Sequence, residues 1–214
     1  MTLVVALLLS LLIKTFLLQA FLIPSGSMED TLLVGDRVLV NKLTDKPDEI
    51  QRGDVVVFRD PGGWLPANND GGGVRAAIHN ALAFVGVVPS TTESDLVKRV
   101  VGVGGDRIVC CDSQKRITVN GVPLTEPYLY PGDRSTPSLA KFTVRVPQDR
   151  LWVMGDHRSD SADSRFHLGD PGGGFVPVDD VVGRAFARVW PIGRVGWLKQ
   201  PATFRQARLL RSRS

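Results

Sequence analysis

The sequence predicts a mainly β protein, in which an N-terminal transmembrane helix precedes one antiparallel, β-rich domain. Short valine-rich segments recur along the body of the chain, and three of them follow a Gly-Asp pair. Between them there is no long stretch with the apolar period of an amphipathic helix. The chain has 214 residues, 43% of them hydrophobic, so it can hold an anchor and one domain with a sizeable core.

The first segment is almost entirely apolar from residue 2 to residue 23, and Lys14 is its only charged residue. As a helix it would span about 33 Å, against about 30 Å for the hydrocarbon core of a bilayer. A cleavable secretory signal is the alternative, but no basic region precedes the segment and no small-residue cleavage pattern ends it. We therefore expect an uncleaved anchor over residues 1–23.

The strands of the domain are expected at the valine-rich segments. A Gly-Asp turn signal opens three of them, and Asn120-Gly121 marks a hairpin. The expected strands include residues 37–42, 55–58, 107–110, 142–146, 151–154 and 181–189. We expect a single domain over residues 24–200.

Two glycine-rich segments interrupt this pattern, at residues 61–94 and 169–174. The first contains an apolar stretch at residues 81–88, which is interpreted as a core helix, with a second membrane-facing surface as the alternative. Neither glycine cluster is followed by Lys-Ser or Lys-Thr, which argues against a phosphate-binding loop.

Charge is concentrated at the C-terminal end of the chain. The formal net charge is +4, and much of the basic excess lies in residues 205–213. We interpret residues 201–214 as a solvated basic tail, with contact to anionic lipid as the alternative. No aromatic residues interleave the late basic residues, which argues against a nucleic-acid partner.

The two cysteines, Cys110 and Cys111, are adjacent. A bridge between neighbours would depart from ordinary disulfide geometry, so we expect two free or buried thiols. A vicinal disulfide is the alternative, and it would require an oxidising compartment.

Ser27 is the first candidate for chemistry, because it lies four residues beyond the apolar segment. That reach is at most about 13 Å, so a reaction at Ser27 would occur near the membrane surface. A lone serine is usually part of a turn, and it needs a neighbouring base to act as a nucleophile. The three histidines lie in the 61–94 segment or in polar loops, and neither G-x-S-x-G nor S-x-x-K is present.

Lys98 is the better candidate base, because strand alternation places it on one apolar face with Leu96 and Val100. An ordinary lysine, with a pKa of about 10.4, is neutral in about one molecule in 2,500 at pH 7. Burial among aliphatic side chains can lower the pKa enough to supply a base. Taken alone, Lys98 with Arg99 would instead indicate a basic rim at a strand edge.

Four segments then occur in a fixed order: PSGSM followed by TL, RGDVVVF, KRVVGVGGD and GDHRSDSADSR. Together they resemble the bacterial type I signal peptidase family over nearly the whole chain. The resemblance implies a β-rich catalytic domain of the signal peptidase type, with a Ser/Lys dyad that cuts signal peptides from exported preproteins after small residues. The family's nucleophile matches Ser27 and its general base matches Lys98. No metal or cofactor is implied.

The same resemblance assigns supporting residues. A hydroxyl that completes the oxyanion hole together with the nucleophile's own N–H matches Ser25, whose alternative role is a turn hydroxyl bonded to its own backbone. Ser161 matches a serine beside the catalytic lysine, while Asp163 and Arg165 match an acid and an arginine that hold it in place. Without the resemblance, this segment would be interpreted as a solvated turn, and its acids do not have calcium-loop spacing.

Substrate contacts in the family come from residues that flank the nucleophile and the lysine. These match Phe21, Ile23, Pro24, Met28, Leu32, Leu96 and Val97. All are apolar, which suits shallow pockets for small side chains, and core packing is the alternative. The sequence departs from the family pattern at Glu29-Asp30, His157 and Ser159-Asp160, which bears on the local loop geometry rather than on the dyad.

The resemblance also implies partners and location. The expected partners are preprotein signal peptides and the lipid bilayer, without nucleic acid, and we expect a monomer. The expected location is the cell membrane, single-pass, with the catalytic domain on the extracytoplasmic side. Two rival functions are a Ser/Lys peptidase that cleaves itself or one dedicated partner, and a membrane-tethered scaffold that binds signal peptides without cutting them.

Overall fold

A computed structural model of the chain describes residues 18–43, 49–65, 95–134 and 140–211. Within these ranges the regular secondary structure is mainly β-strand, as the sequence predicts. In chain order the strands are β1 (Leu18–Leu22), β2 (Arg37–Asn41), β3 (Val55–Arg59), β4 (Asp95–Val103), β5 (Arg107–Cys110), β6 (Ile117–Val119), β7 (Val122–Pro123), β8 (Phe142–Arg145), β9 (Arg150–Met154), β10 (Val176–Pro177), β11 (Val181–Trp190) and β12 (Gly196–Trp197).

Helical structure in the described residues is limited to short elements. Single turns of 3-10 helix lie at Gly26–Met28, Pro131–Asp133, Arg158–Asp160, Val178–Asp180, Ile192–Arg194 and Ala202–Arg205, and the helix α1 spans Ala207–Arg211. No helix in the described part of the chain is long and apolar enough to cross a membrane.

The strands form two antiparallel sheets. The larger has eight strands in the order β1-β2-β11-β3-β4-β9-β10, with β12 paired to β11. The smaller has four strands in the order β7-β6-β5-β8. The long strand β11 pairs with β2 along one part and with β3 along another, so it joins the start of the domain to its middle.

The three predicted Gly-Asp turns share one construction. The glycines Gly35, Gly53 and Gly105 have φ angles of 87°, 90° and 88°, a region that costs a glycine little. Each following aspartate accepts a side-chain bond from the backbone N–H three residues earlier, at 2.8 Å for Asp36, 2.9 Å for Asp54 and 2.8 Å for Asp106. These turns fix the points at which β2, β3 and β5 begin, which explains why the sequence located those strands.

The core divides into three apolar clusters. One packs the smaller sheet against β4 and β9, around Trp152 and Ile108. A second lies on the face of the larger sheet that carries Val56, Val100 and Val153. The third surrounds the 3-10 helix Gly26–Met28 and includes Val38, Val57, Phe21, Ile23, Met28 and Leu32.

The end predicted for the anchor is wrong. The segment Leu18–Leu22, which the prediction places in a transmembrane helix, forms the edge strand β1 and pairs with β2 from Leu18↔Asn41 to Leu22↔Arg37. The residues of β1 are as apolar as the residues before them, so the composition of the sequence does not mark where β1 begins. Residues 1–17 of the predicted anchor lie outside the described residues.

The C-terminal boundary also shifts. The predicted tail begins at residue 201, yet Phe204 and Leu209 are 1% and 0% exposed and belong to the first core cluster. Gln206 Nε2 donates to the carbonyl of Pro123, which ties this segment to the smaller sheet. Residues 201–209 are therefore part of the folded domain, because their apolar side chains cover it.

Cys110 and Cys111 are joined by a disulfide, so the expectation of two thiols is wrong and its alternative, the vicinal disulfide, is present.

Of the glycine-rich segment at residues 61–94, residues 66–94 lie outside the described residues. At its start, Trp64 stacks on the ring of His167 with centroids 4.4 Å apart and meets Phe58 edge-on.

Candidate active site

Ser27 lies in the connection between β1 and β2, on the 3-10 helix Gly26–Met28. Two backbone contacts fix this connection: Ile23 N–H donates to the carbonyl of Asp36 at 2.9 Å, and His157 N–H donates to the carbonyl of Ser27 at 3.1 Å. Met28 is 1% exposed and packs within the third core cluster. The serine is therefore held between the edge of the larger sheet and the 155–165 segment.

Lys98 reaches Ser27 from β4, in the middle of the larger sheet. Its strand partner is Val56, and alternation places it on the same face as Leu96 and Val100, as predicted. The side chain is 3% exposed, and its Nζ lies 2.6 Å from Ser27 Oγ. A nucleophile and a base are thus within hydrogen-bonding distance across 71 residues of sequence.

Burial changes the acidity of Lys98. Removal from water lowers its pKa to about 8, with the charge of Arg165 acting in the same direction and the carboxylate of Asp163 opposing it. With that pKa, about one lysine in ten is neutral at pH 7, against about one in 2,500 for an ordinary lysine. The surroundings of Lys98 therefore lower its pKa toward neutral pH, as a lysine that acts as a base requires.

Asp163 is the centre of a buried polar cluster next to the Ser27–Lys98 contact. Ser161 Oγ donates to its Oδ2 at 2.8 Å, and Gly155 N–H donates to the same oxygen at 3.0 Å. Arg165 grips both carboxylate oxygens through Nε and Nη2, each at 2.8 Å. Burial alone would raise the pKa of Asp163, but the hydrogen bonds and the charge of Arg165 hold it below its usual range.

The cluster continues into the rest of the domain through two arginines. Arg165 Nη2 also donates to the carbonyl of Arg158 at 2.8 Å. Arg158 is 1% exposed, donates to the carbonyl of Gly155, and reaches Glu126 Oε1 at 2.6 Å. The predicted grouping of Ser161, Asp163 and Arg165 is thus present, but Ser161 bonds to Asp163, and within the described residues no hydrogen bond joins it to Lys98.

One supporting pair was missed from the sequence. Arg99, interpreted alone as half of a basic rim, is 3% exposed. It donates to Asp156 through Nε at 2.8 Å and Nη2 at 2.5 Å, and Asp156 accepts a further bond from Thr31 Oγ1 at 2.5 Å. Adjacent residues of a strand point to opposite faces, so a buried Lys98 does not exclude a buried Arg99, and Asp156 was the available carboxylate.

Ser25 precedes the 3-10 helix and is exposed. Its side chain makes no capping hydrogen bond to that helix, and its Oγ lies 3.4 Å from Ser27 Oγ. The hydroxyl is therefore close to the atom that would attack a substrate.

The predicted substrate contacts separate into two groups. Pro24 is exposed, while Leu96 and Val97 on β4 are half-buried. The other four are at most 3% exposed and belong to the third core cluster: Phe21, Ile23, Met28 and Leu32. In this structure the second group packs in the core, which was the alternative role, and its contact with substrate stays a prediction.

The residues that depart from the family pattern line the outer side of the Ser27 turn. His157 Nδ1 lies 3.2 Å from Glu29 Oε2, and the His157 ring stacks on Tyr130 with centroids 3.9 Å apart. Arg134 reaches Asp30 at 3.3 Å. The Glu29 contact joins the turn to the 155–165 segment, and the Asp30 contact joins it to Arg134. In the described residues, no group of three or more His, Cys, Asp or Glu side chains has a metal-binding arrangement.

Gly155 is a position where the structure leaves no room for a side chain. A Cβ there would overlap both Ser161 Oγ and the carbonyl oxygen of Ser27. We expect Gly155→Ala to lower the free energy of unfolding by about 1 to 3 kcal/mol. We also expect it to slow peptide cleavage about a hundredfold, because a displacement of about 1 Å at a nucleophile has that effect.

The measurement for Gly155→Ala is a thermal midpoint together with kcat/KM on a preprotein. Gly169→Ala is the matched control, since a Cβ at Gly169 meets nothing within 4 Å. Wild-type activity in both variants would show that the close approach of Ser161 and Ser27 at Gly155 is unimportant.

Comparison with known proteins identifies the family. A family model described as signal peptidase, peptidase S26, matches residues 1–190. A Mycobacterium leprae protein named probable signal peptidase I is 47% identical over 212 residues, covering 85% of this chain and 72% of that protein. Signal peptidase I of Mycobacterium tuberculosis strain H37Rv is 45% identical over 213 residues, covering 90% of this chain and 72% of that protein.

Among solved structures, a signal peptidase I from Enterococcus faecalis aligns with a TM-score of 0.40 and 24% identity, over 63% of this chain and 95% of that chain. The family match and the relatives confirm the resemblance found in the four sequence segments. The chain therefore belongs to the signal peptidase family, peptidase S26, and is a serine endopeptidase.

Proposed function

We propose that this chain removes N-terminal signal peptides from exported preproteins by a Ser/Lys dyad mechanism, cutting after small residues. The observation that carries the proposal is the 2.6 Å contact between Lys98 Nζ and Ser27 Oγ, made by a lysine that is 3% exposed. Burial of a lysine disfavours its charged form, so it favours the neutral amine that can act as a base. A serine is a poor nucleophile unless a base adjoins it.

In the proposed reaction, the neutral amine of Lys98 accepts the proton of Ser27 while Oγ attacks the scissile carbonyl carbon. The ammonium then returns the proton to the leaving amine, which releases the C-terminal product and leaves an acyl-enzyme. Lys98, again neutral, takes a proton from the water that attacks the ester carbonyl. The ammonium then gives that proton to Ser27 Oγ as the acyl C–O bond breaks, which restores the free serine and the neutral amine. Asp163 and Arg165 act behind the lysine, since both affect its pKa and Asp163 also fixes Ser161.

Two donors are proposed for the oxyanion that forms in the attack. One is the backbone N–H of Ser27, and the other is the hydroxyl of Ser25, whose Oγ lies 3.4 Å from Ser27 Oγ. A preorganised donor of this kind lowers the barrier by about 3 to 4 kcal/mol.

Substrate and membrane are proposed partners as well. Pro24, Leu96 and Val97 are accessible apolar residues beside the dyad and suit small substrate side chains. We propose single-pass attachment to the cell membrane with the catalytic domain on the extracytoplasmic side, and action as a monomer, since one chain supplies both residues of the dyad. The exposed apolar side chains Trp190, Ile192, Val195 and Trp197 support contact with a bilayer.

The experiment that tests the proposal is cleavage of a preprotein with an alanine-rich cut site by the detergent-solubilised chain, with the new N-terminus identified by mass spectrometry. Cutting after the small residue is expected. Binding without cutting would favour the scaffold, and cleavage of the enzyme alone would favour a self-cleaving peptidase.

The pH dependence gives a second expected result. Because only neutral Lys98 can accept a proton and its pKa is about 8, kcat/KM should rise with pH, reach half of its maximum near pH 8 and level off about one pH unit above that. The measurement is the initial rate of peptide cleavage at substrate concentrations below KM from pH 6 to pH 10, a span chosen to bracket that pKa. A rate that stays level across this range would exclude a lysine base with this pKa.

A further inference from the structure

A cavity of about 660 Å³ opens where the start of β3, the middle of β11 and the segment 197–201 meet. Neither Ser27 nor Lys98 lines it. Its walls carry four cationic side chains, from Arg99, Arg184, Arg188 and Lys199. A space of this size is large enough for a small ligand group, and its lining decides which kind.

The charge around the cavity remains positive when the neighbouring carboxylates are included. Asp54, on the wall, lies 3.7 Å from Arg184. Asp156 neutralises Arg99. Asp36 is shared between two arginines, at 3.1 Å from Arg194 and 3.8 Å from Arg188. Among the described residues around the cavity, five cations therefore face three carboxylates, an excess of two positive charges within that part of the chain.

Arg188 shows the effect of this excess. Burial lowers its pKa, and the charge of Arg194 lowers it further, against a smaller opposing effect of Asp36. A cation in such a field gains from any anion that enters the cavity. Arginine and lysine side chains around one space are the usual receptor for a phosphate group.

Aromatic side chains stand next to these cations. Phe186 and Trp197 also line the cavity, with ring centroids 6.0 Å apart, and Trp197 is 72% exposed. Trp190, at the end of β11, is exposed as well, and so are Ile192 and Val195 on the connection between β11 and β12. A ligand that suits this combination has an anionic group that binds the basic side chains and an apolar part that contacts the exposed aromatic side chains.

We propose that this cavity binds a phosphate ester, as carried by the headgroup of an anionic phospholipid, with Arg184 and Lys199 as its principal cationic contacts. The apolar side chains around Trp197 would lie against the acyl region while the headgroup enters the cavity. The site is separate from the dyad, and its test measures binding rather than cleavage.

The variants follow from the contacts. Arg99 and Arg188 are left intact, because both also bond to Thr31 in the segment that follows Ser27. The cavity variant combines Arg184→Gln with Lys199→Gln. The matched control combines Arg107→Gln with Arg145→Gln, which removes the same charge from an exposed pair on the smaller sheet. Equal thermal midpoints for the two variants establish that both are folded.

The full chain in uncharged detergent micelles is titrated against dihexanoyl-phosphatidylglycerol, dihexanoyl-phosphatidylcholine and inorganic phosphate, with ³¹P line broadening as the readout. We expect phosphatidylglycerol to bind more tightly than phosphatidylcholine, and the cavity variant to bind it about tenfold or more weakly than wild type, since each basic residue near an anionic surface contributes about 1 kcal/mol. The control should bind like wild type.

Two outcomes distinguish the source of the phosphate. Binding of phosphatidylglycerol well above that of inorganic phosphate assigns the cavity to a lipid headgroup, whereas equal binding of both, lost together in the cavity variant, assigns it to free phosphate. Binding by the cavity variant as tight as that of the control overturns the proposal.

Discussion

Ser27→Ala is expected to reduce preprotein cleavage by roughly four to six orders of magnitude, as loss of an activated serine does in other peptidases. Lys98→Ala should lose a similar amount, because in the proposed mechanism the two side chains act as one unit through their 2.6 Å contact. For the same reason the double variant should be little worse than either single variant. The measurement is kcat/KM on a preprotein with an alanine-rich cut site.

Controls for this result separate the lost base from a damaged fold. Lys98→Met keeps the apolar stem volume in the buried site, so it should fold and still be inactive. Lys141→Ala removes an exposed lysine and should keep full activity. Substantial activity in Lys98→Ala would place the base elsewhere, with Lys42 the next candidate, and a wild type that binds substrate without cutting would favour the scaffold function.

Asp163→Asn is expected to have the second largest effect, on stability. The carboxylate is 0% exposed and pairs with Arg165, which is 6% exposed. Neutralising one partner leaves a buried guanidinium without its counter-charge, which costs about 3 to 5 kcal/mol. For a chain of this size, the thermal midpoint should fall by about 10 °C.

The same variant should change the pH profile in a fixed direction. The charge of Asp163 raises the pKa of Lys98, and Arg165 lowers it. Removing the carboxylate removes the first effect and keeps the second, so the acid limb of kcat/KM should move to lower pH. Asp179→Asn, at an exposed acid, is the control for both readouts. A limb that moves to higher pH would mean that Asp163 does not act on Lys98 through its charge.

Much of the fold was predictable because its strands begin at turns with a local chemical signature. Gly35-Asp36, Gly53-Asp54 and Gly105-Asp106 each use a left-handed glycine and a short-range aspartate bond, and both properties belong to the residues themselves. The edge strand β1 has no such signal, since LQAFL continues an apolar stretch. The two-residue strands β10 and β12 are too short to carry a pattern.

The candidate site was predictable in a different way. Alternation gave Lys98 its apolar face, but the pairing with Ser27 came from the family resemblance, since the two lie 71 residues apart. Arg99 and Asp156 were missed because burial of a charged pair depends on where a distant loop returns to the sheet. The residues next to Arg99 in the sequence do not indicate that the loop carrying Asp156 will pack against it.

The position of β11 in the larger sheet has a consequence for synthesis. In the described sheet, the path from β2 to β3 runs through β11, which is formed by Val181–Trp190 and comes later in the sequence than either of them. Ser27 belongs to the β2 side and Lys98 to the β3 side. A nascent chain that has not yet released β11 therefore lacks the strand that unites the two halves. Proteolytic capacity should appear only after β11 has been translated and has paired, so a copy that still lacks this strand poses no hazard to neighbouring proteins.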